Sequence, residues 1–144
     1  MDTRFDFDFE ARFRPLLLML GVAPRTSLVR LDDTELDVRF GPWAFSTPVS
    51  NISGVHMTGP YRWYTAIGAR GSFADRGLTF GTTTRGGVCL VFHHPVPGLE
   101  PTGRMLHPGL TLTVAEPRRF ADAVLARMAG DGAAHDSFGS RTRV

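Results

Sequence analysis

Leu110 to Met128 reads LTLTVAEPRRFADAVLARM, and the change of period inside this stretch decides the fold class. From Leu110 to Ala115 apolar and polar residues alternate, so successive side chains point to opposite faces, as in a strand with one face buried. After Glu116 the period becomes helical. Pro117 suits a first helical position, where its missing N–H is no loss, and Phe120, Val124, Leu125 and Met128 recur along one stripe. A strand running straight into an amphipathic helix predicts a sheet closed by that helix, with the stripe buried against it. Gly130 is the expected stop, and the small, polar residues 131–144 predict a disordered tail beyond a single domain over 1–130.

Upstream, short strand-like runs dominate. Leu78–Thr82 and Gly87–Phe92 read as strands tightly joined through Thr83-Thr84-Arg85-Gly86, while the Pro/Gly-rich stretch His93–Gly109 reads as a long loop. Ser27–Leu31 and Glu35–Phe40 predict a hairpin around Asp32-Asp33-Thr34, which have turn chemistry. Gly41-Pro42 turns the chain into Trp43, and a β-branched run follows over Ile52–Met57. Residues 66–77, punctuated by glycine, predict a long loop or an irregular edge.

At the N-terminus Phe5, Phe7 and Phe9 alternate with Asp6, Asp8 and Glu10, which predicts a strand. Phe9, Phe13, Leu16, Leu17 and Leu20 then fall at helical spacing. A short helix over about Ala11–Leu20 follows, with Pro15 in its first turn and Gly21 as a left-handed stop; a continued strand is the alternative.

Composition sets the outer bounds. The 144 residues suffice for one core, and 16 glycines with 10 prolines favour turn-rich β structure over a helix bundle. All 16 basic residues are arginine. A lone Cys89 excludes an intrachain disulfide or a multi-cysteine zinc site and points to a reducing, cytoplasmic setting. No basic segment leads into an apolar core at the N-terminus, so no secretory signal is expected, and Pro15–Pro24 falls well short of the roughly 20 apolar residues of a spanning helix.

Two stretches carry a family resemblance: TPVSNISGV, Thr47–Val55, and the strand, acidic-proline turn and helix of Leu110–Met128. Together they resemble the bacterial, actinobacterial-type branch of the pleckstrin-homology-like (PH-like) domains. The resemblance implies a mainly β (α+β) fold, a bent barrel of about seven strands with one end plugged by the C-terminal helix. The strand and short helix before Gly21 would be an extension to that plan. No lipid-binding residues carry over, because Arg30 and Arg39 are interrupted in sequence by Asp32, Asp33, Glu35 and Asp37.

The largest local charge excess lies at 61–85, where Arg62, Arg70, Arg76 and Arg85 face a single acid, Asp75. With the rings of Tyr61 and Trp63 they form the expected binding surface for a protein partner, an anionic small molecule or a lipid headgroup. The plainer alternative is a solvated edge, with Arg76 neutralised by Asp75. A net charge of +2 is weak for a phosphate backbone and disfavours nucleic acid. His93, His94 and His107 supply the alternative reading, a small enzyme or ligand-carrier barrel. Adjacent histidines on a strand point to opposite faces, however, and no helical pair of histidines exists. The sequence therefore predicts a non-enzymatic binding module with no catalytic residue, metal or cofactor.

Overall fold

The computed structural model describes residues 3–59, 67–71, 77–97 and 106–142, with the backbone alone for 70, 71 and 131–142. The first sheet is antiparallel in chain order: β1 (Thr3–Phe5), β2 (Ser27–Leu31), β3 (Glu35–Phe40) and β4 (Trp43–Pro48). Its hairpin has the expected bounds. Asp32 closes the turn, its carboxylate accepting the N–H groups of Thr34 at 2.8 Å and Glu35 at 2.7 Å. Those two bonds hold the Asp32 carboxyl below its usual range. Pairing of Val29 with Val38 and of Leu31 with Leu36 sends these four side chains, with Phe40, to the inner face.

The second sheet contains β5 (Ile52–Thr58), β6 (Gly68–Gly71), β7 (Leu78–Gly81), β8 (Gly87–Pro97) and β9 (Leu106–Leu112), in the order β5-β8-β9-β7-β6. Within the stretch expected to be a loop or an irregular edge, Gly68–Gly71 is an edge strand in unbroken register with β7. Aromatic rings join the two inner faces. Phe40 stacks on Phe80 at 4.9 Å between centroids, Phe45 meets Phe92 at 5.5 Å, and Phe7 packs on Phe40 at 5.0 Å. Burial of such rings is the main favourable contribution to a core of this kind.

The architecture is therefore mainly β with a C-terminal helix, as expected, but the two sheets do not close into a barrel. Nor do β7 and β8 form a hairpin. β9 lies between them, parallel to β7 and antiparallel to β8. The reason is visible in the connection, whose polar groups bond to the N-terminal segment instead of closing a two-strand turn. The expected long loop also contracts, since β8 runs on through Pro97 and β9 starts at Leu106. Pro95 is tolerated there because the β8–β9 ladder is interrupted between Val91 and Val96. Asn51 substitutes for the missing partner at that point, accepting the His94 N–H and donating to the His94 carbonyl, both at 2.9 Å.

Helix α1 (Arg14–Met19) continues a single 3-10 turn at Ala11–Phe13, with Pro15 in its first turn and Gly21 at φ +82° behind it. Helix α2 starts at Pro117 and extends to Thr142, beyond the stop expected at Gly130. Glycine ends a helix by taking positive φ, and Gly130 does not do so. Phe120 and Val124 are fully buried, and the Phe120 ring meets Phe5 edge-on at 5.0 Å. Leu125 departs from the predicted stripe and is 47% exposed. It sits about 140° round the helix from Phe120, past the edge of the buried face, and Ala121 takes its place. Arg127 anchors the helix to the first sheet, donating to the Asp32 carbonyl at 3.1 Å and to Thr3 Oγ1 at 3.2 Å. No helix among the described residues is long and apolar enough to cross a membrane.

The segment from Asp6 to Glu10 ties the sheets together. Its backbone bonds to Thr113 and Ala115 on one side and to Thr82 on the other. The buried hydroxyls of Thr82 and Thr113 lie 3.0 Å apart, and Thr82 also donates to the Asp8 carbonyl at 2.7 Å. At the end of the segment, Glu10 accepts from Thr83 Oγ1 at 2.7 Å, from the Thr84 N–H at 3.1 Å and from the Arg12 guanidinium. Burial pushes the Glu10 carboxyl up, but these donors outweigh it and hold the group down to about 2.

Candidate functional site

The outer face of the first sheet is where charge converges. Alternation in β2, β3 and β4 sends Leu28, Arg30, Asp37, Arg39, Ala44 and Ser46 outward, while their neighbours enter the core. Antiparallel register then aligns them in two rows. Arg30 lies opposite Asp37, which lies opposite Ser46; Leu28 lies opposite Arg39, which lies opposite Ala44. Arg4 of β1 extends the first row by facing Arg30.

These residues line a concavity of about 700 Å³. Arg25 and Thr26, in the 3-10 turn before β2, complete one rim, and Gly41 completes another. The rims are bonded to each other, the Gly41 N–H donating to the Thr26 carbonyl at 3.1 Å. Gly41 is required here: its φ is +57°, and a Cβ would stand 2.6 Å from the Gly21 carbonyl oxygen. Three guanidinium groups line the concavity against one carboxylate, that of Asp37, which accepts the Ser46 hydroxyl at 2.6 Å. Guanidinium groups present planar, paired donors that match the oxygens of a phosphate or carboxylate. The floor is small or apolar at Leu28 and Ala44, which leaves room for a ligand to approach the sheet.

No family model, curated protein or solved structure matches the chain. The site therefore rests on its own geometry.

The residues singled out at 61–85 are distributed differently. Arg85 is engaged in a bidentate pair with Asp8, at 2.6 and 3.0 Å, and braces the Thr82–Arg85 connection against the N-terminal segment. Arg70 occupies edge strand β6 opposite Thr79. Tyr61, Arg62, Trp63 and Arg76 lie outside the described residues. Of the histidines, His93 and His94 are exposed on β8, whereas His107 on β9 is 1% exposed, so the three do not share one surface. Cys89 is half-buried on β8, facing His56 of β5 in register.

Sequence reasoning set aside the residues that do converge. It counted Asp32, Asp33 and Glu35 as interrupting Arg30 and Arg39, but Asp32 and Asp33 belong to the turn. The signal was available in the period of two: Arg30 and Arg39 have the parity of the outer face in strands whose hairpin register was already legible.

Proposed function

We propose that the chain is a non-enzymatic binding module that takes an anionic ligand on the outer face of its first sheet, with Arg25, Arg30 and Arg39 as its recognition residues. The observation that carries this reading is the lining of the concavity, three arginines against one aspartate on a face whose backbone is fixed by hairpin register. Kinship with the PH-like domains belongs to the same proposal. It is supported by the succession of an antiparallel sheet, a second sheet and a final strand that leads into a helix at Pro117. A cytoplasmic setting is likewise proposed, on the strength of the lone Cys89.

Isothermal titration with inorganic pyrophosphate tests the site. Wild type should give a saturable heat that weakens as salt rises, because exposed guanidinium groups are screened over about 8 Å at physiological ionic strength. Arg25→Ala with Arg39→Ala should weaken binding about tenfold or more, with an unchanged melting temperature, since each charge-assisted pair contributes at least as much as an ordinary hydrogen bond. Arg39→Lys retains the charge but loses the paired donors, and should fall in between. Equal affinity in the double variant, or no binding by wild type, refutes the proposal.

A further inference from the structure

The concavity ends on one side at a sheet edge. β4 pairs with β3 alone, in unbroken register from Glu35 opposite Pro48 to Phe40 opposite Trp43. In an antiparallel ladder alternate residues turn their N–H and C=O groups toward the partner strand, and the residues between turn theirs away. The Val49 N–H donates to the Thr34 carbonyl at 2.8 Å, which fixes the parity. Trp43, Phe45 and Thr47 bond to β3, while Ala44 and Ser46 turn their backbone groups to the open side. Both residues are exposed, and neither has a backbone partner on that side among the described residues. Pro48 shares their parity and is tolerated because the N–H it lacks would face away from β3.

An open edge invites pairing with another strand, and shortness, charge or a bulge guards against it. Among the described residues, β1 is three residues long and carries Arg4, β6 is four residues long with a glycine at each end, and β5 is bulged between Ile52 and Gly54. β4 is six residues long with neither a bulge nor a charged side chain, and its one guard is Pro48 at the end. The outward side chains of Ala44 and Ser46 are small, and both line the concavity. Register extends the rows of the outer face across this edge. A residue added opposite Ala44 continues the row Leu28, Arg39, Ala44. It lies two strand spacings, about 10 Å, from Arg39. An arginine and a glutamate side chain together span that gap, with only the Ala44 methyl group between them. In the next row Asp37 already faces Arg30 and holds the Ser46 hydroxyl at 2.6 Å, so selection for an acid rests on the row of Arg39.

From this arrangement we infer that the ligand of the concavity is an extended acidic segment of a partner protein, added to β4 as an antiparallel strand with a carboxylate opposite Ala44 that meets Arg39. The inference rests on the anion-binding reading and names its ligand class. Main-chain bonds to Ala44 and Ser46 supply affinity, and the arginines supply the choice of side chain, as in other cases of strand addition. Charge complementarity selects an acidic segment over a second copy of the chain. The β4 edge of a second copy carries no acid, so it would leave Arg25 and Arg39 unmatched.

Isothermal titration with a capped peptide in which glutamate alternates with valine tests the inference alongside the pyrophosphate titration. Wild type should bind the peptide, and less tightly as salt rises. The counterpart with glutamine in place of glutamate should bind about tenfold or more less tightly, because the charge-assisted bonds to guanidinium are lost. Arg39→Ala should weaken binding of the glutamate peptide to a similar extent. Backbone methylation reports the mode of binding. When the glutamate side chains share the face of Ala44, the glutamate N–H groups point at β4 and the valine N–H groups point away. N-methylation of the glutamates should therefore abolish binding, and N-methylation of the valines should leave it unchanged. Ala44→Pro deletes an edge donor at the parity Pro48 already has, and should lower peptide affinity about tenfold or more without changing pyrophosphate affinity. Should that variant unfold, the two methylated peptides decide the matter on wild type. The strand assignment is overturned if those two peptides bind alike, if the glutamine peptide binds as well as the glutamate peptide, or if light scattering shows a wild-type dimer that Ala44→Pro abolishes. Pyrophosphate binding without peptide binding removes the acidic strand and leaves the anion site standing. Peptide binding with the expected methylation pattern, without pyrophosphate binding, supports strand addition and removes the reading of the concavity as a site for compact anions.

Discussion

Glu10 offers the sharpest test of how the two sheets are held, because one carboxylate takes donors from three residues and replacing it by the amide changes little in shape. In Glu10→Gln the bonds from Thr83 and Thr84 can still form, but they lose the charge that strengthens them, and the new NH₂ group faces the Arg12 guanidinium. A pKa unit corresponds to about 1.4 kcal/mol. The gap between 4.5 and about 2 therefore amounts to about 3 kcal/mol. Solvent around the Arg12 side chain, which is 63% exposed, lowers this toward about 2 kcal/mol. The sign follows from the direction of the shift. A carboxyl whose folded pKa lies below its unfolded value stabilises fully above 4.5, and that contribution disappears as the pH falls to about 2. Urea unfolding followed by far-UV circular dichroism should place Glu10→Gln about 2 kcal/mol below wild type near neutral pH and by less than half of that near about pH 3. Other carboxylates titrate alike in both proteins, so the difference isolates this group. Equal midpoints near neutral pH, or a gap that persists undiminished in acid, would refute the reasoning.

Two further substitutions address the C-terminal helix. Phe120→Ala removes a fully buried ring from its edge-on contact with Phe5 and should cost about 3–5 kcal/mol in thermal or urea unfolding, while Leu125→Ala, on the exposed flank, should cost little. Arg127→Ala breaks the bonds to the Asp32 carbonyl and Thr3 and should cost about 1.5–3 kcal/mol, whereas Arg127→Lys should recover only part of the loss.

Local elements with strong periodicity were legible in the sequence: the hairpin Ser27–Phe40, the short helix ended by Gly21, and the helix starting at Pro117. What was not legible depended on partners far away in the chain. The insertion of β9 between β7 and β8 follows from Thr82 and Thr83 finding Asp8 and Glu10, more than seventy positions earlier. Likewise β8 persists past Pro95 because Asn51, forty-three positions before His94, supplies the missing bonds. The charge count at 61–85 meets the same limit at one residue. It counted Arg85 as available, although Asp8 takes its Nε and Nη2 donors.

The same distinction between sequence neighbours and spatial neighbours bears on why the arginines of the first sheet point to function. Like charges directly opposite on one sheet face destabilise it. Arg4 nevertheless faces Arg30 across β1 and β2, and Arg39 shares that face from β3, with Asp37 as the one acid lining the concavity. A face shaped for stability alone would set opposite signs across every strand pair, as Arg30 and Asp37 are between β2 and β3. Asp37 offsets only part of the charge, so the concavity keeps three arginines to one acid above a floor of Leu28 and Ala44. That excess carries a cost of repulsion for the isolated protein. An anionic ligand seated among the three arginines would relieve it.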